Sequence, residues 1–143
     1  MTATDDRSRL AATEIEVGTP VGFGGTPAPE VLRLAALGAA PGEPDVLDQA
    51  VIADAMLRGL GERPQDVRYE PPRDDAPWSL AEVHVGGQQW QIARGEPRVL
   101  VERLVKPSAT TRARAISEAA RFSVTAYRPL GVAYRSPDEP WRL

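Results

Sequence analysis

The sequence predicts an α+β fold: a mostly antiparallel β-sheet flanked by helices. Three observations carry this. Residues 78–85 and 88–93 are extended runs joined by Gly86-Gly87, a hairpin signal. Two apolar segments with helical spacing precede the hairpin and two follow it. Strands and helices are mixed without the regular strand–helix–strand rhythm of a parallel sheet.

Taken in order, Leu10 to Val17 reads as a strand, with β-branched Thr13, Ile15 and Val17. Gly18 to Pro29 is a Gly/Pro loop. It is not a phosphate loop, because no Lys-Ser/Thr follows it. A helix is expected to start near Thr26, with Pro27 or Pro29 in its first turn, to bury Val31, Leu32, Leu34, Ala35 and Leu37, and to end at Gly38. Asp45 is the expected N-cap of a second helix running to about Leu60, with Gly61 ending it. Val67 to Glu70 is a short extended segment before Pro71-Pro72. Beyond the hairpin, Pro97 opens a helix with Val99, Leu100, Leu104 and Val105 on its apolar side, and Pro107 breaks it. Ser108 or Thr110 caps another helix, whose apolar face holds Ala115, Ile116, Ala119, Ala120 and Phe122. Val124 to Tyr127 and Leu130 to Tyr134 then read as extended, and the tail from Ser136 is proline-rich. The expected core is Leu34, Leu37, Leu47, Val51, Leu80, Trp90, Ile92, Leu100, Ile116, Val132 and Ala133.

Composition narrows the chemistry. The chain of 143 residues is the size of one domain. Its net charge of -3 offers no basic field for nucleic acid. Apolar runs are interrupted well short of the roughly 18–20 residues that span a bilayer. Met1 to Arg9 lacks the apolar segment of a signal peptide, so the cytoplasm is the expected location. Cysteine is absent, which excludes disulfides, thiolate nucleophiles and Cys-ligated zinc. His84 is the only histidine, so neither a His-based triad nor a multi-His metal site is available; it reads as a strand-face residue. Lys106 is the only lysine, and no Gly-rich loop surrounds it. The acid pairs Asp5-Asp6 and Asp74-Asp75 are neighbours whose side chains diverge, and they read as solvated loop charge. No segment by itself encodes a catalytic constellation or a metal site.

The order of segments says more than any one of them. Pro44-Asp45-Val46-Leu47-Asp48-Gln49-Ala50 resembles the D-P-x-D-x-A helix start of P-type cation-transporting ATPase nucleotide-binding domains. Val67-Arg68-Tyr69-Glu70-Pro71 resembles their Phe-x-Pro segment. Ala93-Arg94-Gly95-Glu96-Pro97-Arg98-Val99-Leu100 is similar to Lys-Gly-Ala-Pro-Glu-x-(I/V)-L. Tyr127-Arg128-Pro129-Leu130-Gly131-Val132-Ala133-Tyr134 is similar to Gly-(Y/F)-Arg-x-L-(A/G)-V-A-(Y/R). Asp6 to Ile15 resembles the stretch after the phosphorylated Asp-Lys-Thr-Gly-Thr motif, and Glu139 to Leu143 the strand that re-enters the phosphorylation domain. The resemblance covers nearly the whole chain.

It implies an antiparallel sheet flanked by helices, inserted in the family into a haloacid-dehalogenase-like domain, and a single domain here over residues 1–143. It implies ATP as the ligand and a P-type phosphorylation domain as a partner. Tyr69 stands at the adenine-stacking aromatic, with a core tyrosine at a strand edge as the alternative. Asp48 stands at an acid that accepts a hydrogen bond near adenine; its alternative is a charge favoured by the helix dipole. Arg94-Gly95 replaces Lys-Gly, keeping a cation beside a glycine that admits the nucleotide. Arg128 matches the arginine that reaches the phosphates, or else is a surface charge at a strand start. The phosphoacceptor aspartate motif and the Gly-Asp-Gly-x-Asn-Asp metal segment are missing from the sequence, so no ATP hydrolysis is expected from this chain alone. Arg73-Asp74-Asp75 stands where many members carry a lysine, and Glu96 replaces a small residue. Both changes put negative charge near a triphosphate and predict weak binding. The rival expectation is a degenerate domain of this type that binds no nucleotide and serves as an interaction module.

Overall fold

A computed structural model of the chain describes residues 2–4, 16–17, 21–22, 26–39, 41, 46–60, 65–124 and 128–143. The elements are β1 (Thr2–Thr4), β2 (Glu16–Val17), α1 (Ala28–Leu37), α2 (Val46–Leu57), β3 (Gln65–Glu70), β4 (Trp78–Val85) and β5 (Gln88–Gly95). Then come α3 (Pro97–Val99), which runs on as a π-helical segment Leu100–Val105, followed by α4 (Ala109–Val124), β6 (Arg128–Pro129) and β7 (Gly131–Arg135). Four strands form an antiparallel sheet in the order β3-β4-β5-β7, and β2-β1-β6 form a smaller antiparallel sheet. The α+β class is therefore as expected.

The hairpin holds for a local reason. Gly86 and Gly87 take φ of +57° and +78°, the left-handed pair that a two-residue turn between twisted strands requires. The register runs without a break from Trp78 opposite Gly95 to Val85 opposite Gln88. On one face of the sheet, Tyr69, Ala81, Ile92 and Tyr134 stand in one row across the strands. Helices α1 and α2 cover this face. Leu32, Leu34, Val51, Val83 and Ile92 are fully enclosed there, with Trp90 and Tyr69 packed at the margin. The opposite face buries Ala93, Leu100 and Ala133 under the π-helical segment and the tail.

Several helix ends differ from expectation. Helix α1 starts where expected, with Pro27 beside Thr26 as its N-cap, and the Thr26 hydroxyl hydrogen-bonds the Tyr134 hydroxyl at 2.8 Å. Helix α2 stops at Leu57 rather than near Leu60. Gly59, with φ of +71°, turns the chain there. Its N–H donates to the Met56 carbonyl and that of Leu60 to the Ala55 carbonyl, a Schellman cap. Gly61 and Asp45 lie outside the described residues, as do Leu10 to Ile15. Val124 closes α4 instead of opening a strand. Ser108 is the cap of α4: its Oγ accepts from the Thr111 N–H at 3.3 Å. The segment expected as an ordinary helix from Pro97 has one α-turn and then π geometry, ended by Lys106 at φ 49°. Hydrogen bonding from i to i+5 widens the turn, and Leu100, Leu104 and Val105 all face the sheet.

Of the expected core, Leu34, Leu37, Val51, Ile92, Leu100, Val132 and Ala133 are buried, and Leu47, Leu80, Trp90 and Ile116 half-buried. Gly95 faces Gly131 across β5 and β7 and makes the notch into which α3 starts. A Cβ on Gly131 would sit 2.9 Å from the Gly95 carbonyl oxygen, 2.9 Å from Pro97 Cα and 2.8 Å from Leu100 Cδ1. Two of these contacts are backbone and cannot rotate away. Gly131→Ala should therefore destabilise the domain by about 1–3 kcal/mol, read as a lower urea midpoint at unchanged m-value. A loss under about 0.5 kcal/mol would mean that the notch is not closed this way.

Candidate functional site

Three of the residues singled out in the sequence share the helix-covered face of the sheet. Arg94, near the end of β5, follows Ile92 on that face and lies opposite Ser79 and Val132. Its guanidinium passes beneath the end of α1. There Nη1 donates to the Ala35 carbonyl at 3.2 Å, one of the last carbonyls of the helix, which lack an intrahelical partner. Nη2 donates to Asp48 Oδ1 at 2.5 Å. Gly38 makes the passage possible: a Cβ there would lie 2.9 Å from Arg94 Cδ and 2.7 Å from Ile92 Cγ2.

Asp48 is in the first turn of α2. The pair is thus arranged with the cation at the C-terminal, negative end of one helix and the anion at the N-terminal, positive end of the next, which favours both charges. Side-chain exposure is 9% for Arg94 and 7% for Asp48, so the pair is nearly out of water. Among the described residues, buried Arg94 Nε has no hydrogen-bond partner.

Tyr69 lies on β3, the edge strand, half-buried against the same core cluster. It is two strands across and two residues along from Arg94, about 12 Å by ordinary sheet spacing. The structure therefore brings Asp48 and Arg94 into contact and sets Tyr69 on the same face at a distance.

Gly95 and Arg128 are placed differently. Gly95 turns to the opposite face, where a Cβ would lie 3.2 Å from Trp78 Cβ; the room it leaves is occupied by that side chain. Arg128 opens β6, with its backbone paired to Ala3 in the small sheet, and its side chain lies outside the described ones. The loop acid Asp75 lies elsewhere. The Asp75 carbonyl accepts from Arg103 Nη2 at 2.7 Å, on the side of the π-helical segment, and its carboxylate sits 3.4 Å from Arg73 Nε.

His84 is on a strand, as expected, beside an open concavity of about 530 Å³ lined by Arg68, Glu82 and Gln89. Among the described residues no cluster of histidines and acids is set to hold a metal, and no helix is long and apolar enough to cross a membrane.

The sequence named Asp48 and Arg94 separately but not as partners, because nothing local links residues 46 positions apart. The Ala35 carbonyl and Gly38, which complete the guanidinium seat, carried no signal beyond the ordinary end of a helix. No protein-family model and no curated protein matches the chain.

Proposed function

We propose that this chain is an adenine-nucleotide-binding domain of the P-type ATPase nucleotide-domain type, one that binds ATP without hydrolysing it. The observation that supports the reading is that Tyr69, Asp48 and Arg94 share one helix-covered face of an antiparallel sheet, Asp48 and Arg94 in contact and Tyr69 about 12 Å away. Each brings chemistry suited to the ligand. The Tyr69 ring offers a stacking face, worth about 1–3 kcal/mol per base. Asp48, seated at a helix N-terminus, is an acceptor for an exocyclic amine. Among the described residues Arg94 Nε is a donor with no partner of its own. Arg128 is the cation assigned to the phosphates. The phosphoacceptor and metal-binding motifs of the family are not in this sequence, so the γ-phosphate has no acceptor here.

One observation favours the rival reading, an interaction module that no longer binds nucleotide. Arg94 and Asp48 neutralise each other and are almost fully buried, which is how a purely structural pair looks.

A nuclear magnetic resonance titration separates the two. ATP is expected to bind with a Kd on the order of 0.1–10 mM. Tyr69→Ala should weaken ATP and adenosine alike, by roughly tenfold, because it removes the stacking face. Arg128→Ala should weaken ATP more than adenosine, and that loss should shrink as salt rises. If about 10 mM ATP leaves the resonances around Tyr69 and Arg94 unmoved, the nucleotide reading fails and the interaction module replaces it.

A further inference from the structure

The opposite face of the sheet carries a second, unrelated constellation. A concavity of about 260 Å³ opens there, floored by Trp78, Leu80, Leu104 and Trp141 and rimmed by Glu70, Arg73 and Arg135. Each tryptophan is stacked by a guanidinium. The Arg135 guanidinium carbon is 4.4 Å from the Trp141 ring centre, and that of Arg103 is 5.5 Å from the Trp78 ring centre. Both distances are within cation–π range.

Nearby arginines have carboxylate partners: Arg73 has Asp75, Arg98 and Arg112 share Glu102, and Arg142 has Glu139. Arg135 and Arg103 have no such partner among the described residues. Among the described residues Arg135 donates Nε to the neutral Gln91 Oε1 at 2.5 Å, and Arg103 donates Nη2 to a backbone carbonyl. In a chain whose net charge is -3, a half-buried Arg135 without a counter-charge among the described residues, with the exposed Arg103 over the neighbouring indole, marks where an anion gains most. A stacked guanidinium also keeps its in-plane N–H edge for a carboxylate or phosphate.

The concavity is polarised as well. Glu70 lies on β3 and Arg135 on β7, the two outer strands of the sheet, with Trp78 and Leu80 on β4 between them. A ligand anion is therefore directed to the β7 side, and a hydrogen-bond donor to the Glu70 side.

We propose that this Trp78–Trp141 box is a binding site for a small planar aromatic anion: a carboxylate or phosphate on one end of a ring, with a donor group on the other. Its volume suits a single ring or a fused pair and falls below the roughly 300 Å³ at which sites for drug-sized ligands begin. The site is on the other face from Tyr69 and Arg94 and does not depend on nucleotide binding.

The test follows the three indole N–H resonances during titration. Trp90 is the internal control, because it packs against Tyr134 on the helix-covered face. The probes are para-hydroxyphenylacetate, its neutral counterpart tyrosol, and acetate. The acid should shift Trp78 and Trp141 and leave Trp90 in place. Tyrosol should bind about tenfold more weakly, the worth of one charge-assisted hydrogen bond, and acetate should leave all three unmoved. Arg135→Gln should bring the acid down to the level of tyrosol while tyrosol itself is unaffected; Arg103→Gln gives a second, solvent-exposed variant for the same comparison.

Equal affinity for acid and alcohol, equal shifts at Trp90, or indifference of the acid to both arginine substitutions would overturn the proposal. So would the absence of any Trp78 or Trp141 shift at about 10 mM acid. ATP also joins a planar ring to negative charge. A Trp141 shift by ATP that persists in Tyr69→Ala therefore belongs to this box, and one lost in that variant belongs to the other face.

Discussion

Arg94→Ala is expected to cost about 3–5 kcal/mol of folding stability, the usual penalty for removing one partner of a buried ion pair. The loss has two sources. Asp48 would remain as a nearly enclosed carboxylate without its cation, and the Ala35 carbonyl would lose the donor that satisfies it. Against a total of roughly 5–15 kcal/mol for a domain, this is a large share. Asp48→Ala should be comparable, because it strands the guanidinium. The double variant Asp48→Leu with Arg94→Met should recover most of the loss, since two apolar side chains of similar volume need no partner. Urea denaturation of the four proteins gives the comparison. If either single variant loses less than about 1 kcal/mol, the pair is solvated in solution and the seat described under α1 is wrong. The double variant also bears on function. If it folds but no longer binds ATP, the pair serves the ligand; if it folds and binds unchanged, the pair is structural.

Ile92→Ala is the second large effect, expected at about 2–5 kcal/mol. Ile92 is fully enclosed, lies between Ala81 and Tyr134 in the cross-strand row, and touches the α1 terminus at Gly38. Its removal opens a cavity where sheet and helix meet, and the neighbouring backbone of the central strands is poorly placed to fill it. Ile92→Val should lose only about 0.5–1.5 kcal/mol. Leu57→Ala is the control: Leu57 is 86% exposed on α2, and the change should stay within about 0.5 kcal/mol. Thermal unfolding of the three variants measures the series. Similar losses for Ile92→Ala and Leu57→Ala would contradict the assigned core.

The two sites differ in how they relate to the fold. The Asp48–Arg94 pair is built into the joint between α1, α2 and the sheet, so changing it disturbs stability and ligand together. The Trp78–Trp141 box uses side chains on the margin of the second core cluster and on the tail, whose Arg142 pairs with Tyr134 of β7. There the arginines can be altered with little effect on the core.

Much of the short-range chemistry was legible in the sequence. The strands Trp78–Val85 and Gln88–Gly95 follow from alternation and the Gly86-Gly87 turn, and helix α1 from its apolar spacing and its prolines. Both signals act between residues a few positions apart, where sequence neighbours are also neighbours in space. The tertiary structure alone decided which residues meet. Periodicity states which face a residue is on but not what faces it. For that reason the Asp48–Arg94 contact, the Arg135–Trp141 stack and the pairing of β1 with β6 had no local signature. The π-helical segment was hidden for a related reason: Leu100, Leu104 and Val105 have spacings that an α-helix also satisfies, and only packing against the sheet selected the wider turn. Gly95 shows the same limit in a single residue. Its type announced a close approach, and the fold determined that the approaching group is Trp78.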